Sequence, residues 1–590
     1  MVGAAGKRRR ASDTVKSSVT LADRSRALAQ SVSATSLDIA RTVAHRVALG
    51  WWQSLIAREA SSISSPIPVH PYTGPLLDLG PDVAAIAASL GEDFSKLPVT
   101  TAAAEIGRLY CFLLPLKHRG VNGVHYTPAP LVSRLLDDAE AAGHDWAVGK
   151  AIDPSCGGGA FMVDATGRMV KALGPADPAF VVASVSARLR GWDLDPFAAW
   201  LSHLSVEAVL LPQVVASGKR LGVVTEARDS LAEWDGHEEA YGLVMGNPAF
   251  GKVKDNPERR QRFRRSLYGH PNLYGLFTDL AVHLAAPDGG VIAYLTPTSY
   301  LGGQYFKALR RLLGKEAPPV SIAIVESRED VFEEVLQEVA LSVFRRGPPE
   351  GAASCSVIHV EPGGLRVEAA GSFVPPSDAS ASWLMPRSAA DAPFVERMLS
   401  MPSRLSDWGY SVSTGPLVWN RKKAKLHDDA RKGSVPVVWA EAVSGQDKFR
   451  LKPEKRNHAA YYSPSGPRDS NLVTSPCLLL QRTTSKEQDR RLISAALPAS
   501  VIKAHGAVTV ENHLNMILAG KPKPVVPMKV IAAFFASETA DRVIRCINAS
   551  VALSASEIEA MPLPPPAAII SAMAASDPEA ALRGLYGIAA

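Results

Sequence analysis

The chain has 590 residues, too many for one hydrophobic core, so several domains are expected. Hydrophobic residues at 46% and charged residues at 21% are values of ordinary folded proteins and exclude a mostly disordered chain. The formal charge of +6 suits a nucleic-acid partner only if it is concentrated, and five cysteines without a Cys-x-x-Cys pair exclude a disulfide framework and a zinc site.

In chain order, residues 1–25 read as a disordered basic tail, in which Lys7, Arg8, Arg9 and Arg10 are followed by Ala, Ser and Thr. A secretory signal would need an apolar segment after those charges. No run approaches the ~18–20 apolar residues of a membrane span, so a cytoplasmic protein without a membrane partner is expected. Residues 26–118 predict a helical region, with helices over 39–57, which holds the Trp51-Trp52 pair, and over 102–116. From 119 to 346 short apolar strands alternate with amphipathic helices, the pattern of an α/β domain on a parallel sheet. The expected strands are 150–153, 189–193, 221–225, 241–245, 290–296 and 321–325. A last strand, 339–345, follows a short connection and reads as antiparallel; 198–211 and 273–286 are the clearest helices. Residues 347–394, rich in Gly, Pro, Ser and Ala, predict a linker or loose edge. Residues 395–566 lose the alternation and read as a mixed α+β domain, with strands at 437–439 and 477–481, and 567–590 as an Ala- and Pro-rich tail.

Four local signals fall at the carboxyl ends of the expected strands, the edge of an open α/β sheet where ligands bind. The first, Asp153-Pro154-Ser155-Cys156-Gly157-Gly158-Gly159, lets the backbone turn sharply and approach a ligand before a helix begins. Met162 stands where a dinucleotide fingerprint would have its third glycine. The second is Gly191-Trp192-Asp193-Leu194-Asp195-Pro196. Asp193 is placed to accept from ribose hydroxyls, whereas Asp195 before Pro196 reads as a helix cap. The third is Asp229, able to accept from an adenine amine. The fourth, Gly246-Asn247-Pro248-Ala249-Phe250, offers two acceptors, the Asn247 amide oxygen and the Pro248 carbonyl, and the flat Phe250 ring. Such a set can hold a planar amino group and direct its lone pair outward.

In this order the motifs resemble the S-adenosylmethionine-dependent DNA methyltransferases that modify exocyclic amines, in the adenine-specific gamma arrangement of the Taq I kind. The resemblance is good over about 100–346 and loose at 551–566. It implies a Rossmann-like α/β catalytic domain and an α+β C-terminal target-recognition domain. It also implies S-adenosylmethionine as cofactor and no metal. Asp153, Pro154 and Gly157 match the family's cofactor loop, Asp193 its ribose acid and Asp229 its adenine acceptor. Tyr126, Thr127 and Pro128 match a segment that contacts the cofactor's methionine part, and Asn247, Pro248 and Phe250 match the catalytic loop. Two positions depart: Gly158 stands where the family usually has Ser, and Ala249 where it has a second Pro. The wide gap from Phe161 to Asp193 implies an inserted helix around 179–188.

The charge is concentrated. Lys252, Lys254, Arg259, Arg260, Arg262, Arg264 and Arg265 follow the catalytic loop, and eleven basic residues against five acidic ones lie in 421–456. Concentrated cations suit phosphate contacts, with Lys252, Lys254, Arg421, Lys422, Lys423 and Lys425 as the expected DNA contacts. The expected activity is methylation of adenine N6 in a specific duplex DNA sequence, with the target nucleotide flipped out of the helix. The family arrangement alone separates it from cytosine N4. The enzyme would be a monomer in the bacterial cytoplasm, protecting DNA from a separate cognate restriction endonuclease. The alternatives are methylation of RNA or of protein glutamine, a combined restriction-modification enzyme, and a catalytically silent DNA-binding specificity protein.

Overall fold

The computed structural model describes residues 20–32, 36–59, 67–123, 126–251, 253, 256–326, 338–349, 351–361, 363–378, 380–444, 448–451, 458–484, 490–520, 523–547 and 552–588. Five helices precede the first strand's domain: α1 (Leu21–Val32), α2 (Leu37–Arg58), α3 (Pro81–Phe94), α4 (Val99–Leu113) and α5 (Leu116–Asn122). The expected tail therefore gives way to helix at Leu21, before residue 25, with Asp23 bonded to Thr20 at its first turn. Ser36 caps α2 by accepting from the Ile39 amide. The N-terminal helices are not a separate body. Trp51, Trp52 and Phe94 pack in one apolar cluster with Phe197, Trp200, Leu201 and Leu204 of the α/β domain that follows. Burying each large side chain in this way contributes roughly 1.5–3 kcal/mol.

The α/β domain contains α6 (Ala129–Ala141), β1 (Ala151–Asp153), α7 (Ala160–Leu173), α8 (Pro178–Arg188) and β2 (Leu189–Asp193). It continues through α9 (Pro196–Val209), α10 (Leu211–Ser217), β3 (Thr225–Ala227), β4 (Leu243–Gly246), α11 (Pro257–Arg262) and α12 (Leu273–Leu284). Then come β5 (Val291–Pro297), α13 (Ser299–Gly302), α14 (Lys307–Glu316), β6 (Pro319–Glu326) and β7 (Val339–Arg345). Helix α8 lies where the inserted helix is expected. The sheet order is β3-β2-β1-β4-β5-β7-β6-β8-β9, where β8 is Ala353–Glu361 and β9 is Gly364–Phe373. Strands β1 to β5 pair in parallel, and β7 runs antiparallel between β5 and β6, as its short connection suggests. The chain reverses direction across the sheet between β1 and β4, and a crevice opens at their carboxyl ends.

Residues 347–394 are not a linker. Strands β8 and β9 form a hairpin that extends the large sheet, and Trp383 and Met385 sit in the core of the α/β domain. Ala353, Cys355 and Val357 point inward with Ser354 and Ser356 between them, a period of two that the Ser/Ala-rich composition disguises. The segment after β9 is tied down as well. The Trp383 amide donates to Leu301 O at 2.8 Å, and the buried Arg310 guanidinium donates to the Ser380 and Ala381 carbonyls.

The C-terminal domain is mixed α+β, as expected. Strands β10 (Tyr410–Thr414), β14 (Cys477–Gln481), β15 (Ser494–Leu497) and β17 (Leu514–Ala519) form one sheet in the order β10-β17-β14-β15. The short strands β11 (Leu426–His427), β12 (Val435–Val438), β13 (Tyr461–Tyr462) and β16 (Thr509–Val510) form another, in the order β11-β13-β12-β16. The expected tail at 567–590 is helical over Pro566–Met573 and Pro578–Leu585. Leu582 and Tyr586 are fully buried with Trp408 and Phe534, so the described part to residue 588 completes this domain's core. Among the described residues no single helix is long and apolar enough to cross a membrane. The bent pair α9–α10 has the length only when taken together, and most of α9 is buried.

Candidate active site

The crevice at the β1/β4 switch opens into a cavity of about 840 Å³. Tyr126, Thr127, Asp153, Pro154, Gly157, Asp193, Asp229 and Asn247 line it, although they come from five separate stretches of chain. Parallel pairing is the reason: β1, β2, β3 and β4 all end on the same edge.

The loop after β1 is held by its two acids. Asp153, 1% exposed, accepts from the Ser155 amide at 2.9 Å, and burial pushes its carboxyl up to about 8 against that hydrogen bond. Asp193 accepts from the Gly157 amide at 2.9 Å and from the Asp195 amide at 2.8 Å. Burial raises its carboxyl to about 6, while the backbone donors hold it down. A carboxylate has roughly four acceptor positions. One goes to the loop after β1 and one to the turn after β2, and open positions can meet a ribose diol in the cavity. Gly158 faces Gly107 of α4 so closely that a Cβ on Gly158 would lie 2.8 Å from the Gly107 Cα. That contact accounts for the missing Ser: here a helix backbone occupies the space a side chain would need.

Asp195 caps α9, as its sequence suggests, and also lines the cavity. It accepts from the Phe197 amide at 3.0 Å, pairs with Arg41 Nη2 at 2.9 Å and takes the Tyr110 hydroxyl. Arg41, Tyr110 and His118 thereby bring α2, α4 and α5 to the cavity wall. Sequence reasoning missed all three, along with Gly107. The only signal was a glycine inside a helical pattern at 107; nothing marks Arg41. Asp229 turns back on its own loop, accepting from the Leu231 amide at 3.0 Å, and Ser230 ties this loop to Pro154 O at 2.6 Å.

Asn247 is oriented by its neighbour. Its Nδ2 donates to Thr127 Oγ1 at 2.9 Å, while its Oδ1 is buried and has no hydrogen-bond partner among the described residues. An unmet buried acceptor on a cavity wall costs about 1–3 kcal/mol unless a ligand satisfies it. Ala249 also lines the cavity; Pro248, Phe250 and Pro128 do not. Phe250 is buried, its ring edge-on to Tyr274 at 6.3 Å, and Pro128 stands at the N-terminus of α6. The loop lacks its second proline but is pinned from both sides. The Phe250 amide donates to Gly123 O at 3.4 Å, and Gly251 O accepts from the Leu273 amide at 2.9 Å. Gly123, at φ 61°, leaves no room for a Cβ, which would run into the Phe250 backbone.

Of the basic candidates, Lys252 and Lys254 lie outside the described residues. The rest of that stretch divides. Arg259 lines the cavity, whereas Arg265 is bound to the buried Asp279 at 2.7 Å and Arg262 covers Trp234. Arg421, Lys422, Lys423 and Lys425 sit on two short 3-10 turns of the C-terminal domain. Arg421 and Lys423 are exposed; Lys425 contacts Ser465 and lies 3.9 Å from Asp469.

The arrangement has relatives among known proteins. Residues 217–332 match the Eco57I restriction-modification methylase family. That segment includes Asp229 and Asn247. The chain is similar to the Type II methyltransferase M.BsuBI of Bacillus subtilis, 26% identical over 344 residues, covering 55% of this chain and 66% of the relative. It is also similar to the Type II methyltransferase M.PstI of Providencia stuartii, 22% identical over 341 residues, covering 56% and 66%. Each match thus spans just under two thirds of the relative. Among solved structures, the Type IIL restriction-modification enzyme MmeI in complex with DNA superposes with a TM-score of 0.59 at 12% identity, covering 97% of this chain and 96% of that one. The fold is that of a Rossmann-like methyltransferase with an additional domain. S-Adenosylmethionine is the methyl donor the methylase match implies, and the cavity fits it in size and in the open acceptor positions of Asp193.

Proposed function

We propose that this protein methylates adenine N6 in a specific duplex DNA sequence and protects that sequence from a separate cognate endonuclease. The observation that carries this reading is the Asn247 amide, anchored through Nδ2 to Thr127 and presenting an unpartnered Oδ1 in the cavity that also holds Asp193. S-Adenosylmethionine, when bound, supplies an electrophilic methyl group on a sulfonium. The protein's own part is binding and aim. Asp193 would accept from the ribose hydroxyls and Asp229 from the adenine amine of the cofactor, while the Tyr126-Thr127 segment would border its methionine part. Asn247 Oδ1 would accept one amino hydrogen of the target base and the Pro248 carbonyl the other, turning the nitrogen lone pair toward the cofactor. Preorganised acceptors of this kind need no reorganisation as positive charge develops on the nitrogen.

The target amine is paired inside a duplex, so the nucleotide must leave the stack at a cost of a few kcal/mol. Phe250 is covered by Tyr274 and the loop backbone, so the loop must shift to bring its ring onto an extruded base. Similarity to two Type II methyltransferases favours DNA over RNA or protein glutamine as substrate. The C-terminal domain would supply sequence reading, with the enzyme acting as a monomer in the cytoplasm. Incubation with S-adenosylmethionine labelled in the methyl group tests the substrate class. Label should enter unmethylated bacterial DNA and remain absent from ribosomal RNA and protein fractions; label in either of those alone would overturn the reading.

A further inference from the structure

Among the described residues four Phe, Tyr or Trp side chains are markedly exposed: Phe180, Tyr268, Tyr305 and Trp419. Two of them stand together beside the catalytic loop. Tyr268 is 40% exposed and Tyr305 52%. His270, also exposed, meets Tyr305 edge-on at 5.9 Å, and Gly269 between Tyr268 and His270 lies so close to the Tyr305 ring that a Cβ there would overlap it. Water-exposed aromatic rings held in fixed positions are a cost that an intramolecular core does not require.

Three cations stand around them. Lys307 Nζ sits 3.6 Å from the centroid of the Tyr268 ring, Arg260 Nη2 donates to Gly269 O at 3.0 Å, and Arg264 is exposed four residues before Tyr268. The patch is also wired to the active site. Beneath it Phe306 stacks on Tyr274 at 4.9 Å, and Tyr274 meets Phe250. The strand of backbone leaving His270 bonds to the catalytic loop, Leu273 N to Gly251 O at 2.9 Å, and Leu273 lines the cavity.

We propose that Tyr268, His270 and Tyr305 form a stacking platform for unpaired DNA bases at the mouth of the active site, flanked by Lys307, Arg260 and Arg264 for the adjoining phosphates. Flipping a nucleotide leaves base faces uncovered beside the extruded one. Stacking on aromatic rings is indifferent to sequence because every base has a π face, and it pairs naturally with a cationic rim. Recognition would remain with the C-terminal domain, and this platform would stabilise the opened strand. The inference rests on the proposed action on DNA.

Two probes are used with the full chain: a twelve-nucleotide oligothymidylate, and unmethylated duplex DNA in the methyl-transfer assay. The double variant Tyr268→Ala/Tyr305→Ala should lose at least tenfold in oligothymidylate affinity, read by fluorescence anisotropy at low salt, since each stacked base contributes a sizeable share of binding. The double variant Tyr268→Phe/Tyr305→Phe should stay within twofold of the parent. In methyl transfer the Ala pair should raise KM for DNA, with S-adenosylmethionine affinity unchanged. Equal oligothymidylate affinity in the Ala pair and the parent, or no binding by either, overturns the platform. In that case methyl transfer to DNA by the parent would leave the proposed function standing. Stacking-dependent oligothymidylate binding without any methyl transfer would leave the platform and remove the proposed reaction.

Discussion

Asn247 enters the cavity with one end of its amide occupied and the other open, and the contribution of a single acceptor can be measured there. Asn247→Ala should lower kcat about 10²-fold, because one preorganised group of this kind is worth roughly 3 kcal/mol. S-Adenosylmethionine affinity, measured by calorimetry, should stay near that of the parent, since the proposed role of Asn247 is to meet the target base. Activity within twofold of the parent would remove Asn247 from catalysis. Asp193 gives a second test with a definite sign. Its carboxyl titrates near 6, raised by burial, and only the charged form is a full acceptor pair for a diol. Cofactor affinity should therefore hold at pH 7.5 and fall as the pH drops through about 6. Asp193→Ala should bind weakly at every pH and show no such step. A step that survives in the variant would assign the titration to another group.

At the scale of elements, the contact between α4 and the cofactor loop is asymmetric. A Cβ added to Gly158 would lie 2.8 Å from the Gly107 Cα, whereas one added to Gly107 would meet Gly158 no closer than 3.6 Å. Gly158→Ser should lower stability by about 1–3 kcal/mol through overpacking, read as a lower urea midpoint. Gly107→Ala should be neutral or raise it, since Ala is favoured over Gly in a helix by up to about 1 kcal/mol. Equal effects from the two changes would mean the helix and the loop move apart freely.

This contact also marks the boundary of what the sequence reveals. The strand ends carrying Asp153, Asp193 and Asn247 are legible because local chemistry and strand–helix alternation coincide there; before Asp229 the strand is Thr225–Ala227 rather than the expected 221–225, and among the described residues no helix separates it from β4. The Arg41, Tyr110 and Asp195 cluster is not legible: it joins residues far apart in sequence, and an arginine on a helix carries no signal of its partner. The β8–β9 hairpin was concealed for another reason. Its first inward positions, Ala353 and Cys355, are small and alternate with Ser354 and Ser356, so composition reads as linker although the alternation is that of a strand. Helices Pro566–Met573 and Pro578–Leu585 were read as tail because short Ala-rich segments acquire their burial only from tertiary packing.

At the scale of the whole molecule, cations on the C-terminal domain lie apart from the cofactor cavity, and the two should be separable. Neutralising Arg421, Lys422, Lys423 and Lys425 together should weaken DNA binding and reduce the slope of log affinity against log salt by about 0.9 for each residue that meets a phosphate. Lys425, held near Asp469, is the expected smallest contributor. S-Adenosylmethionine affinity should not change. Identical slopes in parent and variant would assign the cluster to a solvated face and move the DNA contact to the catalytic domain.

If this cavity delivers a methyl group to adenine N6, nucleoside mass spectrometry will show it in cellular DNA. DNA from cells free of other methyltransferases is compared after expression of the parent chain and of Asn247→Ala. N6-methyladenine should be found in the first sample, confined to one sequence context, and reduced to near background in the second. N4-methylcytosine in place of N6-methyladenine, or equal N6-methyladenine in both samples, would contradict delivery to adenine N6 by this cavity.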